Sequence, residues 1–399
     1  MSPRPARTAV VLSAGGVRGA YQVGVIAGIV ELLGHQGAEA PLFDIFVGSS
    51  VGAINAAYLA ANADRSDHAI GGLEQIWTKL DFDEILQLTP LGAWGWPRLR
   101  LPGRHEPRAT ARYVGRSLFD PRPVERLLDR VIAWDRLHEN IRAARVRGLM
   151  IAALDICDGA TTVFTELAEG VTFRPYPYLT TRSTFTAIEA EHVLAATALP
   201  FIFPARHVED RYYMDGAIRF ETPIIPALRA GAERVVIISL LDQAAGPEAR
   251  RELVFPGVFF LIGQLLNAVL LDPLLHDKDN LHRNNRIIEV MADTLDPATT
   301  IELIAKLESE VPPGRPVPTL VFRPSASIEA IAADFLQNEL RRRRPLRRAL
   351  LRRLADFETG QALLASFLFF DGRLAARLIE LGRGDAIAQR DRILAFFEA

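Results

Sequence analysis

Residues 43–60 read FDIFVGSSVGAINAAYLA, and the change of period inside this stretch decides the architecture. Residues 43–47 form a short, mostly apolar run of the length of a buried strand, and the alanine-rich segment that follows is helical in pattern. Between them lies Gly48-Ser49-Ser50-Val51-Gly52, with a glycine two residues to either side of Ser50. Glycine at both places tolerates a strained, crowded turn, so the pattern predicts a strand that swings abruptly into a helix with Ser50 exposed at the corner. The preceding stretch repeats the arrangement: TAVVL at 8–12, then Gly15-Gly16-Val17-Arg18-Gly19, then an apolar helix over about 20–33. Two strand–loop–helix units in succession predict an α/β fold, three layers α/β/α, around a mainly parallel sheet.

Working outward, further strands are expected at 147–154, 161–166, 211–214, 234–240 and 319–323, the last after the connector VPPGRPVP. Beyond about residue 325 only helical patterns remain, so residues 6–325 are expected to form a catalytic domain and 326–399 a helical C-terminal extension packed on it. The chain has 399 residues, 49% of them hydrophobic, and 46 basic against 48 acidic side chains. That balance gives no reason to expect a nucleic-acid partner, and a mean hydropathy of +0.12 excludes a disordered chain. A single cysteine, Cys157, allows no intrachain disulfide and points to a reducing, cytoplasmic setting. The opening MSPRPAR runs straight into the first strand without the apolar stretch of a secretory signal. Residues 254–271 carry no charge, but Pro256, Gly257, Gly263, Gln264 and Asn267 argue for a buried or membrane-resting helix over a spanning one.

Serine at such a corner suits a nucleophile, because the helix that begins at Val51 aims its first amides and a partial positive charge at the same point. Amides of the 15–19 loop, again at a strand end, have the placement of an oxyanion hole, with Arg18 adding charge or bracing the loop. The competing reading of that loop is a dinucleotide fingerprint, which wants an acid at the end of the second strand; Asp44 stands at its beginning. A base is harder to find. His276 and His282 lie in the charged stretch HDKDNLHRNNR and read as surface histidines. Asp215-Gly216-Ala217, directly after RYYM, fixes a carboxylate at a strand end, and desolvation there would raise its pKa into a useful range. No His, Asp or Glu grouping has the spacing of a metal site.

Taken together, GGVRG at 15–19, GSSVG at 48–52 and DGA at 215–217 resemble the patatin-like phospholipases. TALPFIFPA at 197–205, TPIIPALRAGAERVVIISL at 222–240 and the ending FLFFDGRLAARLIELGRGDA strengthen the resemblance. It implies a Ser–Asp dyad without histidine: Ser50 as nucleophile, Asp215 as base, and Gly15, Gly16, Val17, Arg18, Gly19 and Val51 about the oxyanion. It also implies that Gly48 and Gly52 form the elbow, that Gly216 and Ala217 complete the acidic motif, and that no metal or other cofactor takes part. Ala14 departs from the family, many of whose members carry a third glycine there.

The implied substrates are phospholipid or lysophospholipid esters, which must be drawn from a membrane or micelle. Two sequence features suit such contact. Residues 341–353, RRRRPLRRALLRR, hold eight arginines in thirteen positions, and Trp94 and Trp96 lie in a long loop. The rival readings are a neutral-lipid or small-ester hydrolase, an acyltransferase on the same dyad, and an idle lipid-binding scaffold.

Overall fold

Residues 9–12 are apolar without a break because both faces of that strand are covered. Val10 and Leu12 join one buried cluster, Ala9 and Val11 another, and the neighbouring strands divide in the same alternation: Phe46 against Ile45 and Val47, Val236 and Ile238 against Val235 and Ile237. A strand with period-two side chains and no polar face needs helices on both sides, which is the three-layer arrangement observed. The computed structural model describes residues 6–34, 41–87, 113–114, 117–174, 180–220, 224–242, 263–264, 268, 273–296, 299–300, 302–304, 306, 316–342 and 360–398.

The strands are β1 (Thr8–Leu12), β2 (Ile45–Ser49), β3 (Tyr113–Val114), β4 (Gly148–Asp155), β5 (Thr161–Leu167), β6 (Thr181–Phe185), β7 (Ala205–Val208), β8 (Arg211–Asp215), β9 (Arg234–Ile238) and β10 (Thr319–Phe322). They form one ten-stranded sheet in the order β10-β9-β1-β2-β4-β8-β7-β3, with β5 against β4 and β6 against β5. From β10 to β4 every pairing is parallel; β8, β7 and β3 continue antiparallel. Three strands escape the sequence pattern for a physical reason. β6 is TRSTF at the margin of the sheet, only half-buried, β7 carries Arg206 and His207, and β3 is two residues long.

On one face lie α1 (Gly19–Leu32), α2 (Val51–Ala61) and α3 (Ser66–Thr78), together with the C-terminal helices Gly360–Leu368 and Gly372–Ala388. The last of these packs along α1, where the buried Tyr21 hydroxyl donates to Asp385 at 2.9 Å. At the rim of the same contact Arg383 pairs with Glu31 at 3.1 Å and with Glu74. Leu374, Ala375 and Leu378 sit in the same buried cluster as Val10 and Leu12, so the C-terminal helices share the core of the sheet. The opposite face is covered by the helix Ile225–Arg229 and by Leu281 of the helix Pro273–Thr294. Among the described residues no helix is long and apolar enough to cross a membrane.

Candidate active site

Ser50 and Asp215 are 165 positions apart in sequence, and one strand edge brings them together. The whole of β4 from Gly148 to Leu154 is occupied on one edge by β5. Its other edge is shared end to end: β2 pairs as far as Ser49 opposite Ala152, and β8 takes over with Asp215 opposite Ala153. The last residue of β2 and the last residue of β8 therefore arrive at adjacent places from opposite directions. Ser50 follows the first directly, and Asp215 is the second.

The corner at Ser50 is strained and crowded. Its backbone lies at φ 52, ψ −127, a region open to glycine and costly for any residue with a Cβ, by about 1–3 kcal/mol. Gly52 lets the chain leave that corner, since a Cβ on it would stand 2.2 Å from the Leu12 carbonyl oxygen. Gly48, within β2, packs against the same first turn of α2. The turn is closed by the Ala53 N–H, which donates to the Ser50 carbonyl at 2.9 Å. The Val51 amide opens α2 and so has no partner within the helix, and Val51 borders the same cavity as Ser50.

Asp215 is 1% exposed. Its backbone N–H donates to the Ala198 carbonyl at 3.0 Å, and its Oδ1 accepts the Ala217 N–H at 2.9 Å across Gly216. Oδ2 has no fully formed hydrogen bond among the described residues. Burial pushes the carboxyl up to about 7; the neighbouring Ser50 hydroxyl and the Ala217 amide oppose that shift and are outweighed. The Ser50 hydroxyl thus neighbours a carboxylate whose Oδ2 is taken by no other group among the described residues.

The 15–19 loop is a tight turn over Gly16–Arg18. Two of its amides are engaged within it: Arg18 N–H donates to the Gly15 carbonyl at 3.2 Å and Gly19 N–H to the Gly16 carbonyl. Gly16 and Val17 open the turn, and Gly16 borders the same cavity as Ser50. Gly16 stands at φ 59, and a Cβ there would lie 2.0 Å from the Phe367 carbonyl oxygen, so the C-terminal segment presses on the loop. The Arg18 side chain is engaged by Ser366, Leu240 and Phe367. It is buried, donates to Ser366 Oγ at 3.1 and 2.6 Å and to the Leu240 carbonyl at 3.4 Å, and stacks 4.3 Å from the Phe367 ring centre. Burial lowers its pKa to about 10, which leaves it charged at neutral pH, with Asp242 favouring the charge. Of the two roles expected of Arg18, bracing is the one its contacts display. Ser366→Ala should therefore cost about 1.5–3 kcal/mol, because a buried guanidinium loses its hydroxyl acceptor. Urea unfolding would measure the loss, and an unchanged midpoint would mean that Arg18 is held by its other contacts.

In front of Ser50 opens an apolar cavity of about 110 Å³, bordered by Ile54, Trp77, Leu127, Phe203, Leu368 and Phe370 among others. Among the described residues no histidine borders it. Behind it a closed set of buried hydrogen bonds ties the helices together. Trp77 Nε1 donates to Asn55 Oδ1 at 3.1 Å, Asn55 Nδ2 to Gln22 Oε1 at 2.9 Å, and Gln22 Nε2 to the Ser13 carbonyl at 2.8 Å. These residues, with Ser366 and the Phe367–Phe370 wall, were not predicted. The FLFF run at 367–370 was the available signal for the wall. Asp44 accepts the Thr8 N–H at 2.8 Å at the far end of β2, where it cannot serve a ligand at the 15–19 loop. His282 lies at the surface on the helix Pro273–Thr294, 3.3 Å from Thr319 Oγ1. The loop with Trp94 and Trp96, residues 343–353 of the arginine block and most of 254–271 lie outside the described residues, as does the side chain of His276.

A sequence model described as Patatin-like phospholipase matches residues 10–228, more than half of the chain and all three of the motifs gathered here. No curated protein sequence matches the chain. Among solved structures, VipD from Legionella pneumophila is similar over 94% of this chain and 67% of its own, at 11% identity and a TM-score of 0.31.

Proposed function

The chain belongs to the patatin-like phospholipase family, whose members are lipid acyl hydrolases, and from that premise we propose that it hydrolyses fatty-acyl esters of phospholipids or lysophospholipids through a Ser50–Asp215 dyad. The observation that carries the reading is the pair itself: a serine on a strained corner beside a buried carboxylate whose pKa is pushed up to about 7 and whose Oδ2 has no other partner among the described residues.

Ser50 Oγ attacks the ester carbonyl carbon as its proton passes to Asp215 Oδ2. The oxyanion that forms is held by the amides of Gly16, Val17 and Val51, the ones not consumed inside their own turns. Collapse breaks the bond to the alcohol, which takes the proton from Asp215 as it departs, while the acyl group stays on Ser50 Oγ. Water then attacks the acyl-enzyme while Asp215 takes its proton, and release of the fatty acid returns that proton to Ser50 Oγ. The apolar cavity receives the acyl chain. We read residues 6–325 as the catalytic unit and 326–399 as an extension that completes it, because Phe367, Leu368 and Phe370 close the cavity and Ser366 holds the oxyanion loop. The single cysteine supports a cytoplasmic setting, with peripheral membrane contact at the inner face through the arginine block of 341–353.

Product analysis on defined phospholipids, lysophospholipids, triacylglycerols and short-chain esters, with Ser50→Ala as control, tests the reading. Ser50-dependent release of free fatty acid from the glycerophospholipids is the expected result. Release only from neutral or short esters, or transfer to an added alcohol in place of water, would replace it.

A further inference from the structure

The turn between the helix Ala190–Ala196 and β7 presents two faces. Leu199, Ile202 and Phe203 border the cavity beside Ser50, and Ile202 packs with Phe119, Ile85 and Leu86 in a small buried cluster at its edge. Phe201 goes the other way. It is 84% exposed, more than any other large apolar side chain among the described residues. Its backbone stands at φ 67, the left-handed region that suits glycine and penalises a bulky side chain. Such a residue gains nothing from the core and holds an unfavourable backbone, so neither packing nor local propensity accounts for a phenylalanine here.

Its neighbour repeats the division. Leu118 N–H donates to the Phe201 carbonyl at 2.8 Å and Phe119 N–H to the Ile202 carbonyl at 3.1 Å. The inner pair, Phe119 and Ile202, is buried; the outer pair, Leu118 at 38% exposure and Phe201, faces solvent. Two apolar side chains are thereby held outward by the same backbone pairing that places their successors at the cavity wall. Beside them Arg122 pairs with Asp120 at 2.5 Å.

We propose that Phe201, with Leu118 beside it, is the anchor that seats the rim of the acyl cavity on a lipid surface. The inference rests on the reading of that cavity as a lipid-ester site. An acyl chain leaving a bilayer avoids water only if the cavity rim touches hydrocarbon, and an exposed aromatic side chain continuous with the cavity lining supplies that contact. Because this contact is made by apolar side chains, it requires no anionic lipid and persists in salt, unlike one made by the arginine block.

The test uses the full chain carrying Ser50→Ala, so that vesicles are not consumed, and sedimentation with phosphatidylcholine vesicles in high salt. Phe201→Gly suits the backbone at φ 67 and is expected to unfold at the same or a higher temperature. Its partition onto vesicles should fall about tenfold or more, the effect of withdrawing one phenylalanine ring from an apolar phase. Phe201→Trp should bind at least as well as the parent. Equal binding by Phe201→Gly and the parent would overturn the anchor. So would a lowered unfolding temperature in Phe201→Gly with vesicle binding retained, or a concentration-dependent dimer that Phe201→Gly dissolves and vesicles do not compete with. Failure of the underlying reading is separate: it would appear as absent Ser50-dependent hydrolysis of a soluble short-chain ester, whatever the vesicles show.

Discussion

Ser50→Ala is expected to reduce ester hydrolysis by about 10⁴-fold or more and to abolish covalent capture by a fluorophosphonate. The loss should come without unfolding, because the corner is built by its neighbours. Gly52 clears the Leu12 carbonyl, and the Ala53 N–H closes the turn on the residue 50 carbonyl whatever its side chain. A second substitution separates chemistry from architecture. Alanine keeps the Cβ that makes φ 52, ψ −127 costly, whereas glycine does not. Ser50→Gly should be as inactive as Ser50→Ala yet more stable, by part of the about 1–3 kcal/mol stored at the corner. Urea unfolding of the three proteins reads that order directly. Near-native hydrolysis in either variant would remove Ser50 from the chemistry, and a glycine variant less stable than the parent would show that the corner is not strained.

The residues that sequence makes legible here are those whose role is fixed locally. Gly15 to Gly19, Gly48 to Gly52 and Asp215 to Ala217 are each a strand end followed by a turn, and a turn of that kind leaves its mark in glycine within a few positions. The apolar runs of β1, β2 and β9 are equally plain, since strands covered on both faces have no polar alternation to blur them. What the sequence hides is made by distant segments meeting. Nothing in residues 45–49 or 211–215 says that both strands pair along one edge of β4, yet that sharing is what sets Ser50 beside Asp215. The cavity wall joins Leu127, Phe203 and Phe370, and the brace on Arg18 comes from Ser366, 348 positions away. β6 and β7 are half-polar because they lie toward the margin of the sheet, where solvent accepts Thr, Arg and His, so their pattern resembles a loop. Phe201 is hidden in a different way: nothing in TALPFIFPA separates Phe201 from Phe203, and only its exposure in the fold does so.

Asp215→Asn is expected to lower turnover by about 10²–10⁴-fold, the usual worth of a positioned base, and at the same time to stabilise the fold above neutral pH. Both effects follow from desolvation of one carboxyl. As the base it must be ionised, so kcat/KM of the parent should rise with pH through about 7 and level off above it. Stability moves the opposite way. A carboxyl whose folded pKa of about 7 lies above its ordinary value of 3.8 binds its proton more tightly when folded. Its contribution to stability is fully present below about 3.8 and is lost as pH rises through about 7. At about 1.36 kcal/mol per unit of pKa, the whole change is of order 4 kcal/mol. Asparagine cannot ionise, so the two proteins should have similar unfolding free energies near about pH 4 and diverge toward about pH 8, with the asparagine variant the more stable. A paired series of rate and urea measurements across that range puts both slopes on one group. A stability difference that stays flat with pH, or an activity limb centred near the ordinary carboxylate range, would mean that burial does not raise this pKa, and near-native turnover by Asp215→Asn would mean that the carboxylate is not the base. If both slopes are found, the cost to folding and the capacity to take a proton from Ser50 are the same quantity, set by how completely the end of β8 is shut away from water.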